Sequence, residues 1–251
     1  LRTVNRLASE ARGEFMCFQD ADDYSHPDRI ATQLDAFRSH PDLGLVGTNY
    51  AVINPKGKVV FKRAAETRPE VLKKMLETHN PFQKPSIMFS RAVYEKVGMY
   101  RESFLQLGNI SEDFDWILRA SEHFETANVN HGEPLYYYRS VATAMSKKVR
   151  TPSQLLGHDV ALYLWRQRAS GKADSLERDE ISALRDLIAS WEEPFLKDRS
   201  LFHHRVAASL MYFGLPWSAV RESLIAISKG PLTWRNYRLL QYCLRKTLIG
   251  L

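Results

Sequence analysis

The stretch EFMCFQDADDYSHPDRI, residues 14–30, sets the architecture of this chain. Phe15 to Phe18 is a continuous apolar run, too short for a helix, so it predicts a buried strand. Three carboxylates follow within four residues, at Asp20, Asp22 and Asp23, and Pro27 then opens a helix with Ile30, Leu34 and Phe37 on one face. Upstream, Val4, Leu7, Ala8 and Ala11 fall on one face of a helix that Gly13 closes. Helix, buried strand, acidic loop and helix in that order are the pattern of an α/β sheet, in which ligands bind beyond the C-terminal ends of strands.

Further along, Leu45–Ile53 predicts a second strand, with Pro55-Lys56-Gly57 as its turn and Lys58–Lys62 as a short return strand. A helix is expected over Pro69–Glu77, a strand over Pro85–Ser90, a short helix over Arg91–Val97 stopped by Gly98, and a loop over Met99–Ile110. Ser111 reads as the N-cap of a helix reaching His123. Strands at Thr126–Val129 and Leu135–Arg139 complete the first part. From Thr151 the pattern is helix after helix, broken at Gly171, Gly214, Pro216, Gly230 and Pro231. The expected division is therefore residues 1–148 and 149–251, with the boundary near Lys147–Pro152.

Hydrophobic residues make up 44% of the 251 and charged residues 25%, an ordinary globular composition. No run approaches the roughly 18 apolar residues of a membrane span, and nothing near Leu1 has the order of a signal peptide, so a cytoplasmic location is expected. Cys17 and Cys243 make neither a disulfide framework nor a zinc site, and both read as reduced and buried. Residues 1–200 carry 28 basic and 28 acidic side chains, whereas residues 201–251 carry seven basic and one acidic, Glu222. All of the net charge of +6 thus lies in the tail, which argues against a nucleic-acid binder and for a local basic element.

The carboxylates at Asp20, Asp22 and Asp23 repel one another unless a cation neutralises them, and Mg2+ or Mn2+ takes carboxylate oxygens together with substrate phosphates. A metal-diphosphate site is the economical reading. A turn followed by a helix cap would explain Asp23 but makes no use of Asp20 or Asp22. An EF-hand loop starting at Asp20 would need Gly and Glu where the chain has Ser25 and Ala31. A phosphatase of the haloacid dehalogenase type, with Asp20 as nucleophile and Asp22 as acid/base, meets Tyr24 where Thr or Val belongs.

Together these landmarks resemble the inverting glycosyltransferases of family 2. The resemblance runs through NRLASEARGEFMCFQDADD (residues 5–23), Pro27, Asp28, Arg29, Ile30 and Gln33. It continues in the family's order through Val46-Gly47, SIMFSR (residues 86–91), Val97-Gly98, Glu112-Asp113 and Tyr138-Arg139, and it covers residues 4–147. It implies an α/β, GT-A-type (Rossmann-like) mixed sheet, followed here by an all-helical C-terminal region. It also implies a nucleotide-diphosphate sugar donor, a saccharide or glycolipid acceptor, and a role in cell-surface polysaccharide or glycolipid synthesis. On matching positions, Asp22 would hold the Mn2+ or Mg2+, Asp20 would face the donor ribose or the metal, and Asp113 would be the catalytic base. Because only residues 1–13 precede the first strand, the nucleotide-binding part is expected to lie outside this sequence, in a longer protein.

The chemistry of Asp113 agrees with that role, since a carboxylate within reach of a sugar hydroxyl lowers the barrier to its attack on an anomeric carbon. The alternative is that Glu112 and Asp113 only complement the positive end of the helix they begin. A non-catalytic glycan- or membrane-surface binding module is a further alternative for the whole chain. Tyr136, Tyr137 and Tyr138 suit packing better than sugar stacking. His203 and His204 lack a carboxylate or cysteine at ligand spacing, and His123 and His131 stand alone, so none of these four is expected to bind metal. Finally, Leu232–Leu251 predicts a basic amphipathic helix with Tyr237, Leu240, Leu244 and Leu248 on one face and Arg235, Arg238, Arg245 and Lys246 on the other. Such a helix either docks on the domain or makes peripheral contact with an anionic membrane at its cytoplasmic face.

Overall fold

The apolar run before the acidic loop forms a strand, β1 (Phe15–Cys17), after the opening helix α1 (Arg2–Glu10). A two-residue strand β2 (Tyr24–Ser25) lies inside what the sequence presents only as loop, and α2 (Arg29–Ser39) follows. Then come β3 (Leu43–Thr48), β4 (Tyr50–Ile53), β5 (Val59–Arg63), α3 (Pro69–Leu76), β6 (Met88–Ser90), α4 (Arg91–Val97), α5 (Glu112–Ser121), β7 (Glu125–Val129) and β8 (Tyr136–Arg139). Short 3-10 turns occupy Lys84–Ser86 and Glu102–Leu107. The remaining helices are α6 (Pro152–Leu155), α7 (Gly157–Ala169), α8 (Ile181–Lys197), α9 (Arg199–Tyr212), α10 (Pro216–Lys229) and α11 (Trp234–Ile249). The computed structural model describes residues 1–108, 111–140, 151–212 and 214–249.

Two mixed sheets carry the first part, in the orders β1-β6-β3-β7 and β2-β8-β4-β5. β6 runs antiparallel to β1 and β3, and β7 runs parallel to β3, so β1, β3 and β7 deliver their C-terminal ends to one edge. The expected strand Leu45–Ile53 is two strands, because the chain passes from one sheet to the other at Asn49. Every residue from Leu43 to Ile53 is buried, so no alternation of polar and apolar residues marks the break. Both faces of the first sheet are covered. Met16, Leu45 and Phe89 pack with Trp116 and Ile117 in one core, whereas Val46 and Met88 pack with Phe37 of α2 in another.

On α2 the buried face is Arg29, Gln33 and Phe37, and Ile30 is exposed. Gly47 sits in tight quarters, where an added Cβ would lie 2.3 Å from Asn128 Oδ1 and 2.7 Å from Phe82 Cδ1. Gly47→Ala is therefore expected to cost about 1–3 kcal/mol of stability by overpacking. The check is a lower denaturant midpoint at unchanged slope.

The described residues of Leu1–Ala144 and His158–Ile181 form one compact unit, and those of Met145–Gly157 and Ser182–Leu251 form another. The boundary expected at 148/149 lies outside the described residues. Most of α7 groups with the first unit, where Ala161 and Leu162 join the core around Trp116. In the second unit Ala207, Ala219, Val220 and Cys243 pack together. The docked stripe of α11 runs through Asn236 and Cys243, with Leu239, Leu240 and Leu244 beside it. Tyr237 and Leu248, expected on the packed face, are exposed instead. Cys17 is a second correction: it is exposed, because Met16 is the β1 side chain that enters the core.

Candidate active site

Asp20 and Asp22 lie in the turn after β1, both exposed. Among the described residues neither carboxylate has a protein hydrogen-bond or ion-pair partner. Asp23 has a different task. Its N–H donates to the Asp20 carbonyl at 3.1 Å, closing the turn. Its carboxylate accepts from the Tyr136 hydroxyl at 2.7 Å and the Arg139 N–H at 2.6 Å. The Tyr136 oxygen accepts in turn from the Asp20 N–H at 3.2 Å, and Arg139 Nε donates to the Asp22 carbonyl at 2.7 Å. Burial pushes the Asp23 carboxyl up against the lowering effect of these donors, and the Tyr136 hydroxyl is raised by burial and then by Asp23. Asp23 thus fixes the acidic turn to β8.

Beneath the turn lies a buried polar group that the apolar pattern could not reveal. Arg29, 1% exposed, donates to Gln33 Oε1 at 3.1 Å, Ser25 Oγ at 2.9 Å and the Pro85 carbonyl at 3.1 Å, with its guanidinium over the Tyr136 ring. Gln33 donates to the carbonyls of Val46 at 2.6 Å and Ser86 at 2.9 Å. Side chains of α2 therefore tie the acidic turn to β3 and to the turn before β6. Arg29 and Gln33 thus direct their polar atoms to protein groups: neighbouring side chains and the carbonyls of Val46, Pro85 and Ser86.

Asp113 sits in the first turn of α5, half-buried, with one carboxylate oxygen accepting from the Phe114 N–H at 2.8 Å. Ser111 occupies the N-cap position with φ at 54° and no side-chain cap bond, so the expected serine cap is absent. A non-glycine residue in the left-handed region is uncommon. Glu112, Asp113 and Asp115 supply negative charge to the helix's positive end instead. Burial raises the Glu112 carboxyl, and Asp113 adds to that.

Tyr100 joins these elements, and nothing in the sequence singled it out. It is 3% exposed, and its backbone is held by both ends of the Asn5 amide, at 2.8 and 3.1 Å. Its hydroxyl has no hydrogen-bond partner among the described residues. Burial raises its pKa strongly, and the charges of Asp113, Glu112 and Asp20 raise it further. The Tyr100 ring lies 6.4 Å from that of Phe18, just before the acidic turn, and 6.1 Å from that of Trp116 on α5.

A network of buried charges holds this arrangement. Arg101, next to Tyr100, donates to Asp115 at 3.0 Å and to Asp174 at 2.7 and 2.9 Å. Arg119 donates to Asp115 at 3.0 Å and to the Met99 carbonyl at 2.6 Å, and Arg168 pairs with Asp174 and Glu122. Burial pushes Asp174 up, but the adjacent guanidiniums bring it below the usual carboxylate range.

Two exposed carboxylates without partners among the described residues fit the way Mg2+ or Mn2+ binds, through one or two carboxylates plus water and phosphate oxygens. The acidic turn is not a ready-made cage of three ligands. That description belongs, among the described residues, to His26, Asp28 and His131, whose ligand atoms lie within 4.8 Å of one another. His131 therefore does not stand alone, and His203 pairs with Glu222 at 2.8 Å. Pairing of β2 with β8 brings His131 to His26 and Asp28, and the α9 and α10 helices bring His203 to Glu222; sequence spacing shows neither.

The model of a family described as glycosyltransferase-like family 2 matches residues 2–166. EpsE of Bacillus subtilis (strain 168), whose name assigns it provisionally as a glycosyltransferase, is 28% identical over 153 residues, 60% of this chain and 52% of EpsE. The uncharacterised protein y4gI of Sinorhizobium fredii is 26% identical over 137 residues, 54% of this chain and 14% of its own length. The chain thus spans about half of EpsE and much less of y4gI. Among solved structures, S. aureus TarS residues 1–349 align with 98% of this chain and 70% of that one, at 14% identity and a TM-score of 0.48.

Proposed function

The chain belongs to the glycosyltransferase-like family 2, and from that membership and the site geometry we propose that it carries the metal-diphosphate and base residues of an inverting glycosyltransferase. The donor is a nucleotide-diphosphate sugar and the acceptor a hydroxyl of a saccharide or glycolipid. The observation that carries this reading is that Asp20 and Asp22 stand exposed in the turn after β1, at the edge to which β1, β3 and β7 deliver their C-terminal ends, with the turn held there by the bonds of Asp23 to Tyr136 and Arg139. The family match favours sugar transfer over the phosphatase alternative.

In this mechanism Asp113 accepts the proton of the acceptor hydroxyl as its oxygen attacks the anomeric carbon. The bond from that carbon to the diphosphate oxygen breaks on the opposite face, so the configuration inverts. Asp22, with Asp20, would hold Mn2+ or Mg2+, which when bound offsets charge on the departing diphosphate. Asp23, Tyr136 and Arg139 hold the turn still. The test is incubation of the full-length protein with UDP-, GDP- and dTDP-sugars, Mn2+ and saccharide acceptors, with the product anomer read by NMR. Transfer with the anomer opposite to the donor's is expected; transfer with retention would remove Asp113 from the role of single base.

We extend the proposal to a cytoplasmic enzyme resting on an anionic membrane, which suits a glycolipid acceptor in cell-surface synthesis. No helix among the described residues is long and apolar enough to cross a bilayer. On the second unit, however, Leu232 is 99% and Trp234 73% exposed beside the basic residues of α11. Exposed apolar anchors with neighbouring cations are what peripheral attachment requires. Arg245→Glu with Lys246→Glu, both on the solvent side, is expected to abolish salt-sensitive sedimentation with anionic vesicles. No sedimentation of the unaltered protein would leave α11 as a docked helix alone.

A further inference from the structure

We propose that His26, Asp28 and His131 form a second divalent-metal site, separate from the acidic turn and selective for Zn2+ and similar borderline ions. His26 and Asp28 precede α2, and His131 lies in the turn between β7 and β8. They meet because β2 pairs with β8, with Ser25 opposite Tyr136. Asp23 and Arg139 meet at the other end of the same short pairing. The two sites therefore lie at opposite ends of β2.

The geometry is close to that of a bound ion. Asp28 Oδ2 is 3.6 Å from His26 Nδ1 and 3.7 Å from His131 Nε2. Ligand atoms about 2.0–2.1 Å from a tetrahedral zinc ion stand roughly 3.3–3.4 Å apart, so small side-chain rotations complete the set. Asp28 has the N-cap position of α2 but makes no side-chain cap bond there, so its carboxylate faces the imidazoles instead. His26 Nδ1 accepts from the Asp28 N–H at 3.2 Å, so its lone pair is unprotonated on the Asp28 side, and an ion bound at Nδ1 takes the place of that long bond. Binding at His131 Nε2 moves that ring's proton to Nδ1 and costs one long 3.3 Å contact from the Glu133 N–H.

The surrounding backbone is already fixed. The His26 N–H donates to the Leu135 carbonyl at 3.0 Å, and Asn49 donates to the carbonyls of His131 at 2.9 Å and Glu133 at 3.2 Å. Asn130 exchanges two 2.9 Å bonds with the backbone of Ala65. Lys62 holds the Glu133 carboxylate at 2.6 Å, so that group is already paired. Water completes the coordination from the solvent side, where Asp28 is 59% exposed. Two imidazoles with one carboxylate suit Zn2+, Co2+ or Ni2+ better than Mg2+, which takes oxygen ligands. Such an ion would clip the start of α2 to the β7–β8 turn and so brace the strand pair that carries the acidic turn.

The test uses the full chain, free of any affinity tag and stripped with chelator, titrated with ZnCl2 by calorimetry and followed by thermal melting. One equivalent is expected to bind, with a rise in the melting temperature. His131→Ala and Asp28→Asn, both on exposed side chains, are each expected to weaken binding at least tenfold and remove the zinc-dependent rise while leaving the metal-free melt unchanged. Asp22→Asn is expected to bind Zn2+ as the unaltered chain does, so the result stands apart from the assignment of the acidic turn. Absence of a saturable site, or equal binding by His131→Ala and Asp28→Asn, overturns the proposal.

Discussion

Asp115→Asn is expected to lower the melting temperature of the first unit by on the order of 10 °C. Asp115 is fully buried and receives Arg101 and Arg119, with Arg168 at 3.6 Å. Loss of its charge leaves Arg101 and Arg168 to share Asp174, with Glu122 on Arg168, and leaves Arg119 with only the backbone carbonyls of Val97 and Met99. Breaking a buried ion pair from one side costs about 3–5 kcal/mol, because the remaining charge stays desolvated without its partner. At roughly 2–4 °C per kcal/mol for a unit of this size, the fall is large enough to read directly in a thermal melt. The change also frees Arg101, and with it the neighbouring Tyr100, from α5. A loss of less than about 1 kcal/mol would mean that the network contributes little beyond a surface ion pair.

The second large effect is on rate. Asp113→Asn is expected to lower turnover by about a hundredfold or more in the full-length protein while leaving donor affinity nearly unchanged. An amide keeps the shape and the hydrogen bond from the Phe114 N–H but takes up no proton. Rates and donor affinities measured in parallel separate the two effects. Equal losses in both would make Asp113 a binding residue, and the base would have to be another group.

Much of the fold could be read from local pattern, because strands and helices of the first unit carry strong apolar periodicity or clear stops such as Gly98. The failures have physical causes. On α2 the buried face begins with Arg29 and Gln33, residues whose polarity marks them as surface until their carbonyl partners are known. β2 is two residues long and exists through its pairing with β8. Cys17 looked like core inside an apolar run, yet strand alternation turns Met16 inward. At the site, Asp20, Asp22 and Asp113 stood out through charge and motif order. Tyr100 and the His26-Asp28-His131 group did not, since one is a lone aromatic in a loop and the other joins residues over a hundred positions apart.

The central claim is that the acidic turn holds a divalent cation and the diphosphate of the donor. Calorimetric titration of the full-length protein with nucleotide-sugars, with and without Mn2+, tests it most directly when repeated on Asp22→Asn. Mn2+-dependent binding by the unaltered protein, lost in Asp22→Asn because an amide supplies no anionic charge to a hard cation, is the predicted result. Donor binding that is independent of Mn2+, or that survives Asp22→Asn at full affinity, would contradict it.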